Sequence, residues 1–411
     1  DGKLEVDDTT WGYGVNLGLI HDGGTGTRLG LTYTSQVVLD FAAPAEFTGL
    51  QPGEPENRSS VWETASARAN LSEKTPSAQA GGGAPVIDLQ TTWFLVVGIL
   101  FAGYSVLDGI DGGVGTLVLP RSADDEARKR MLGSLGPATF GNEFWLVAGV
   151  AALFAAFPAV RVTVMSAFAW LLGLLVLVLV LRAAALGAGR GSDVVDRSRD
   201  VAFGALGALA AFLPGLVLGN ILLGLPLDEA GRFAGAATDL FRPFALIVAV
   251  EVVGLFALQG ACWLNLRLDG GEDAVLRVWV TAVALHALTL ISSLIAAPHL
   301  WKPYHHPLTW IAPFVMLAAL VAVPFLAKAG RARAALLASS TAITALWGIV
   351  GQGLYPHIVP ALGDPSKSLT IAHAAASPTV LTSLLLVLLL ALTLVAGYSA
   401  FVFLRFRRTD S

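Results

Sequence analysis

Residues Thr91–Gly115 read TTWFLVVGILFAGYSVLDGIDGGVG, an apolar block followed by a glycine-rich run with two aspartates. The apolar part predicts a membrane-spanning helix over Thr91–Leu107, and Asp-Gly-x-Asp-x-Gly predicts a tight turn at its end. Ionisable groups at a membrane boundary are costly unless they are paired, hydrated or used in proton or ion traffic. Asp108 and Asp111 are therefore candidates for a proton-entry or subunit-contact site, with a solvated helix end as the alternative.

The composition is that of a polytopic membrane protein. The chain has 411 residues, of which 55% are hydrophobic and 14% are charged, and its mean hydropathy is +0.68. Soluble domains carry about 25% charged residues. A net charge of -4 gives no support for nucleic-acid binding. The single cysteine, Cys262, excludes an intrachain disulfide and fits a small buried hydrophobe.

Nine apolar blocks follow residue 90, each close to the length that crosses about 30 Å of hydrocarbon as a helix. We predict an all-α integral membrane protein with about nine transmembrane helices in bundles, preceded by a short β-hairpin fragment and a disordered linker. The blocks are Thr91–Leu107, Phe144–Val160, Val162–Leu181, Val201–Leu225, Phe244–Leu266, Val278–Ala297, Leu308–Ala327, Ala334–Leu354 and Val380–Leu404.

The basic residues predict the orientation of these helices. Arginine and lysine are concentrated after the odd-numbered blocks and are scarce after the even-numbered ones. Because basic loops favour the cytoplasmic side, the carboxyl end is predicted to be cytoplasmic and Val86 to lie outside.

The first 85 residues differ from the rest. Residues 1–53 alternate small or polar with apolar residues, which predicts a hairpin of strands Tyr13–Ile20 and Arg28–Leu39. The pair W-G-x-G-x-N-L-G-L and T-R-x-G-L-x-Y resembles a fragment of outer-membrane long-chain fatty acid transporter barrels, although two strands cannot close a barrel. Residues 54–85 are rich in Ser, Ala, Gly and Pro and predict a polar linker. We expect Val86 to be the natural start of a membrane domain over 86–411, with 1–85 added by fusion or mis-assembly.

Glu143, preceded by Asn142, stands immediately before the second apolar block. A carboxylate at a helix start can cap free N–H groups and meet the favourable end of the helix dipole. Alternatively, it belongs with Asp108 and Asp111 to one acidic cytoplasmic mouth. Both interpretations stay open from the sequence.

Glu251 lies well inside the fifth block, where a lone carboxylate should be protonated or paired and is a functional candidate by default. Gln259, eight residues later, lies near the same helix face and predicts a shared polar stripe. Interhelical hydrogen bonding is the alternative role. Asn220 and His286 are single polar residues in apolar helices, and packing hydrogen bonds are the expected role of each.

No residue is assigned to catalysis, to a metal or to a cofactor. The sequence has no CxxC, Cys/His metal set, P-loop, GxSxG or dinucleotide fingerprint in a suitable context. His299, His305 and His306 cluster with aromatic residues, which favours a solvated interfacial loop over a metal or haem site.

Residues Ile87 to Arg408 resemble subunit II of cytochrome bd-type quinol oxidases through short motifs whose order and spacing match that family. The landmarks are Leu107–Gly115, Gly141–Leu146, Ala152–Pro158, Gly219–Asn220, Gly224–Pro226, Pro243–Leu246, Gln259–Ala261, Gly353–Pro356, Ser368–Ile371 and Ala376–Pro378. Nine helices ending in the cytoplasm agree with this family.

The resemblance implies a respiratory subunit of the bacterial inner membrane. Such oxidases are heterodimers that oxidise quinol, reduce oxygen to water and build a membrane potential. It implies that the b-type and d-type haems lie in the partner, subunit I, that this chain binds no cofactor directly, and that its contacts are subunit I, lipid and quinone. In some family members, subunit II supplies a proton path from the cytoplasm.

One departure from the family affects that path. The family usually has Trp-Asp-Gly-Asn before the second helix, and this chain has Thr139-Phe140-Gly141-Asn142. An acidic residue expected after the third helix is also missing. Since a phenylalanine cannot relay protons, other carboxylates would have to substitute, or subunit I would carry all proton traffic.

Two rival functions remain. A secondary transporter would use Glu251 and Asn220 to line a substrate path. Outer-membrane transport of hydrophobic compounds is suggested only by residues 1–53.

Overall fold

The structure is a computed structural model with two compact units, Asp1–Pro85 and Val86–Ser411, each described here by itself. The described residues are 3–4, 16–22, 28–34, 47–48, 88–121, 124–135, 141–189, 196–268 and 271–406. The predicted linker 54–85 and the Thr139-Phe140 departure lie outside them.

The first unit contains four described strands in two antiparallel pairs. β1 (Lys3–Leu4) pairs with β4 (Phe47–Thr48), and β2 (Asn16–Asp22) pairs with β3 (Arg28–Thr34). β2 and β3 overlap the predicted strands, with different ends. That residues 1–53 form a separate hairpin fragment stays a prediction.

The second unit is built mainly from helices. These are α1 (Leu89–Val118), α2 (Asp125–Gly133), α3 (Glu143–Ala156), α4 (Pro158–Gly189), α5 (Arg197–Leu223), α6 (Pro243–Arg267), α7 (Glu272–Ala296), α8 (Ile311–Lys328), α9 (Ala332–Leu354), α10 (Ile371–Ala374) and α11 (Pro378–Phe406). Two short strands, β5 (His357–Val359) and β6 (Leu369–Thr370), pair antiparallel between α9 and α10.

Seven helices in the described part of the chain are long and apolar enough to cross a membrane, namely α1 and α4 to α9. The predicted count of nine is therefore not confirmed. The other two blocks correspond to shorter apolar helices over Glu143–Ala156 and Pro378–Leu394. The 14 residues of α3 rise only about 21 Å, which is less than the roughly 30 Å of a hydrocarbon core.

The predicted turn after Leu107 is wrong, because α1 continues as one helix of 30 residues through Val118. Asp88 caps its start at Leu89, because the Asp88 carboxylate accepts a hydrogen bond from the Thr91 N–H at 2.6 Å. Asp108 and Asp111 are 0% and 2% exposed. They therefore lie inside a packed helix and do not face water from a turn.

Close packing explains the glycines in this stretch. α6 lies at the centre of the unit, against α1, α5, α7 and α9, and 72% of its apolar window is buried, compared with 11% for α7. A Cβ on Gly113 of α1 would lie 1.9 Å from the Phe256 carbonyl oxygen, and one on Gly260 would lie 2.4 Å from the Gly113 carbonyl carbon. The two backbones touch at this crossing, which only glycine allows.

Candidate functional site

Asp108 forms a buried ion pair with Arg182. Arg182 Nη1 donates to Asp108 Oδ2 at 3.1 Å, and Nη2 donates to Oδ1. The side chains are 0% and 3% exposed. A bidentate contact between guanidinium and carboxylate is the strong form of this interaction. Because both groups are buried, removing either one would leave the other charge unpaired.

The same guanidinium also holds Glu143, so it joins carboxylates from α1 and α3. Arg182 Nη2 donates to Glu143 Oε1 at 3.0 Å, and the Glu143 side chain is 26% exposed. Glu143 is the first residue of α3, where the helix dipole favours a negative charge. No side-chain hydrogen bond caps the start of α3, and a role of Glu143 in an acidic cytoplasmic mouth stays a prediction.

Asp111, one turn after Asp108, bonds to the residue preceding Glu143. Asn142 Nδ2 donates to Asp111 Oδ2 at 2.6 Å and to the Leu107 carbonyl at 3.3 Å. We call Asp108, Asp111, Asn142, Glu143 and Arg182 the polar cluster. It brings together four sequence-predicted candidates and contains three carboxyl groups and one guanidinium, with Glu143 as its most exposed acid.

Sequence reasoning missed Arg182 as a site residue and treated it as a marker of topology. The third predicted block ends at Leu181, whereas α4 continues to Gly189 and includes Arg182. The sequence contains a signal that points to Arg182. Two carboxylates near a membrane boundary require a cation, and Arg182 is the first basic residue after the third apolar block.

Glu251 pairs with His286 of α7 and not with Gln259. His286 Nδ1 lies 2.6 Å from Glu251 Oε1, and the side chains are 15% and 3% exposed. Gln259 Nε2 instead donates to Ser340 Oγ at 2.8 Å and to the Val106 carbonyl at 3.2 Å. The predicted stripe shared by Glu251 and Gln259 is therefore replaced by two contacts on different helices.

The Asn220 amide is held by two backbone carbonyls, and its packing role stays a prediction. Its Nδ2 donates to the Leu216 carbonyl at 2.9 Å and to the Leu240 carbonyl at 2.7 Å, and the residue is fully buried. The bond to Leu240 ties the short turn before α6 to α5.

The histidines after α7 are held by backbone atoms. His299 Nε2 lies 2.9 Å from the Leu222 carbonyl, and His305 Nδ1 contacts the Lys302 carbonyl. Burial lowers the pKa of His299 below its ordinary value, against the opposing effect of the Leu222 carbonyl. Within the described residues, no group of three or more His, Cys, Asp or Glu side chains is arranged to hold a metal ion.

The comparisons with known proteins all point to the same family. The family model for cytochrome bd terminal oxidase subunit II matches residues 89–406. Cytochrome bd-I ubiquinol oxidase subunit 2 of Escherichia coli (strain K12) is 28% identical over 363 residues, covering 77% of this chain and 93% of that protein. The probable cytochrome oxidase subunit 2 of Haemophilus influenzae is 25% identical over 366 residues, covering 79% of this chain and 96% of that protein.

Among solved structures, the bd oxidase from Geobacillus thermodenitrificans has the same fold, with a TM-score of 0.61 at 17% identity. The superposition covers 77% of this chain and 98% of that chain. The matched family range leaves out residues 1–53, and their resemblance to an outer-membrane transporter is not supported by these comparisons.

Proposed function

Since this chain belongs to the cytochrome bd terminal oxidase subunit II family, we propose that it is the haem-free subunit of a quinol oxidase and supports a haem-bearing subunit I. The complex oxidises quinol, reduces oxygen to water and builds a membrane potential. The b-type and d-type haems belong to subunit I. The family match over residues 89–406 is the observation that carries this proposal.

We place the chain in the bacterial inner membrane with its carboxyl end in the cytoplasm. The excess of basic residues after the odd-numbered apolar blocks supports the cytoplasmic carboxyl end. Within the unit, the Asp108–Arg182 contact joins the carboxyl-terminal parts of α1 and α4. The two helices then run in the same direction, so one crossing must return between them. α3 is the apolar helix between them, which supports α3 as an eighth crossing even though its 14 residues are fewer than a full span needs. We propose α11 as the ninth crossing from its apolar sequence alone.

The polar cluster is then on the cytoplasmic side, and we assign its members different roles. Arg182 neutralises Asp108 in the low-dielectric interior, since unpaired buried charges are costly. Asp108 and Glu143 both contact the Arg182 guanidinium, so two carboxyl groups share one cation. Glu143 is the group that reaches the surface. It therefore exchanges a proton with water or subunit I, in place of the aspartate that the family has at residue 140.

A Glu143→Gln variant tests this role in the chain co-expressed with its haem-bearing partner. We expect slower quinol oxidation and slower proton uptake at unchanged haem content, because the amide keeps a bond to Arg182 and cannot ionise. Glu272→Gln is the matched control, since Glu272 is likewise the first residue of a helix and lies outside the cluster. Equal turnover in both variants would reduce the cluster to a structural role.

The alternative of a secondary transporter assumed that Asn220 lines a substrate path. The two N–H groups of Asn220 are committed to the Leu216 and Leu240 carbonyls, which leaves only its buried Oδ1 without a hydrogen-bond partner among the described residues. The family match over residues 89–406 supports the oxidase subunit over a transporter.

The domain boundaries remain a proposal: 1–53 as an added fragment, 54–85 as a linker and 86–411 as the oxidase subunit. Mass spectrometry of the natural protein tests it. A product that starts near Val86 supports it, and peptides from residues 1–85 joined to the membrane domain would contradict it.

A further inference from the structure

The Glu251–His286 pair joins α6 and α7, two apolar helices that contribute no residue to the polar cluster. Gly254, one turn after Glu251, allows α7 to come close, because a Cβ there would lie 2.7 Å from Leu285 Cδ1. This approach brings the neighbouring His286 within 2.6 Å of Glu251. A carboxyl group and an imidazole in contact can hold a proton on either partner.

The second nitrogen of this imidazole is available for a proton. His286 Nδ1 faces Glu251, and Nε2 makes no hydrogen bond to any described residue. The His286 side chain is 15% exposed, compared with 3% for Glu251. The His286 imidazole therefore lies between the buried Glu251 carboxyl group and the exposed surface of α7.

Polar side chains continue along α7 from His286 towards its carboxyl end. Thr289 follows at a spacing of three and Ser293 at a further four, which places all three on one helix face. The Thr289 hydroxyl is buried and has no hydrogen-bond partner among the described residues. Ser293 Oγ accepts a bond from Trp301 Nε1 at 3.0 Å, in the segment that follows α7.

A buried hydroxyl without a protein partner is commonly satisfied by water. Side chains three residues apart on a helix have Cβ atoms about 5–6 Å apart, a gap that one water molecule bridges. Ser293 Oγ donates to the Leu290 carbonyl and does not bond to Thr289. One water between Ser293 and Thr289 and a second between Thr289 and His286 Nε2 would therefore connect Ser293 with Glu251.

We propose that Glu251 and His286 form a proton-exchange site that is reached from the outer end of α7 along Thr289 and Ser293. This direction depends on the orientation in the proposed function. In one step, a proton binds Nε2 of neutral His286, and the proton on Nδ1 passes to the Glu251 carboxylate. The product is a neutral carboxylic acid beside a neutral imidazole, so the site gains one proton and loses one negative charge.

None of the other described charged groups on the elements packed against α6 and α7 bonds to this pair. Most lie towards the helix ends, whereas Asp108 and Asp111 lie ten and seven residues before the end of α1. Arg267 and Arg277 are sixteen and nine residues from Glu251 and His286 along their own helices, or about 24 Å and 13 Å. The remaining ones are Asp108 and Asp111 on α1, Arg197, Arg199 and Asp200 on α5, Glu272 and Asp273 on α7, Lys328 on α8, Arg333 on α9, and His299, Lys302 and His305 after α7.

Infrared spectroscopy of the purified complex tests the site without relying on oxidase activity. We expect a carboxylic acid C=O band that is absent in Glu251→Gln, weakens as pH rises and shifts within seconds of transfer to D2O. In His286→Gln the band should exchange at least tenfold more slowly, because glutamine cannot pass a proton on.

Thr289→Val removes the hydroxyl at nearly constant volume and should slow exchange at least tenfold. Thr281→Val is the matched control, since Thr281 is an exposed threonine of the same helix, and its exchange should equal that of the wild type. Equal rates in both threonine variants would overturn the route, and a spectrum unchanged by Glu251→Gln at every pH would overturn the site.

Haem content and quinol oxidation, recorded on the same samples, test the proposed function separately. If Glu251→Gln does not assemble, Glu251→Asp should move the band instead of removing it. An unmoved band in that variant also contradicts the proposal.

Discussion

Gly113→Ala should destabilise the membrane domain, because it puts a methyl group into the crossing of α1 and α6. The new Cβ would lie 1.9 Å from the Phe256 carbonyl oxygen and 2.8 Å from the Gly260 nitrogen, whereas ordinary van der Waals contact begins at 3.4 Å. The obstacle is backbone, which cannot rotate away as a side chain can. The helices must therefore separate, by about 1.5 Å on this difference.

Overpacking of a well-packed core typically costs about 1–3 kcal/mol, and we expect this variant at or above the upper end. The same shift moves Asp108 and Asp111 relative to their partners on other helices. Gly98→Ala is the matched control, since Gly98 also lies in α1 and has no atom within 4 Å of an added Cβ. Alanine there should be neutral or stabilising by up to about 1 kcal/mol through helix propensity.

The assay is thermal unfolding of the detergent-purified chain with its partner, followed by circular dichroism and by loss of the monodisperse peak in size-exclusion chromatography. Gly113→Ala should melt well below the wild type, and Gly98→Ala at or above it. Equal melting temperatures for the two variants would refute the packing of α1 against α6 as described.

Three further predictions concern single side chains. Arg182→Leu should cost about 3–5 kcal/mol, since it leaves a buried carboxylate unpaired, whereas Arg161→Leu on the exposed face of α4 should have little effect; equal melting temperatures would contradict the buried pair. Asn220→Leu should cost about 1–3 kcal/mol by leaving carbonyls unsatisfied, and faster hydrogen exchange in Ala237–Leu240 is the local measurement, with unchanged exchange as the opposing result. The lowered pKa of His299 means that the unfolded chain binds a proton first, so stability should fall as pH drops below about 6.5; His299→Gln should weaken this dependence, and an unchanged slope of melting temperature with pH would count against it.

The positions of the helices followed from the sequence, because long apolar runs are a local signal. Every predicted block overlaps a helix of the structure, including the two that are too short for the count of spans. The sequence did not predict where the first helix ends. Glycine and aspartate usually favour turns, and only contact with α6 explains why Gly113 lies within a continuous helix.

The candidate site was predictable as a set of residues but not as a set of contacts. Asp108, Asp111, Asn142 and Glu143 were singled out as candidates because acids and amides near apolar blocks are locally conspicuous. Their partner Arg182 was not, because the pairing depends on how α1 and α4 are rotated and placed.

The same limit applies to the intramembrane carboxylate. The spacing of Glu251 and Gln259 predicts that they share one face of α6, yet each side chain bonds to a different neighbouring helix. The choice of His286 as partner depends on the close approach at Gly254, which a single sequence does not encode locally.

The most direct test of the central claim is a visible absorption spectrum of this chain, purified from membranes with and without the product of a co-expressed subunit I gene. We predict that the two chains purify together, that b-type and d-type haem absorbance accompanies the pair, and that this chain alone is colourless and inactive with quinol. Haem absorbance or quinol oxidation by the isolated chain, or failure to bind any haem-bearing partner, would contradict the account.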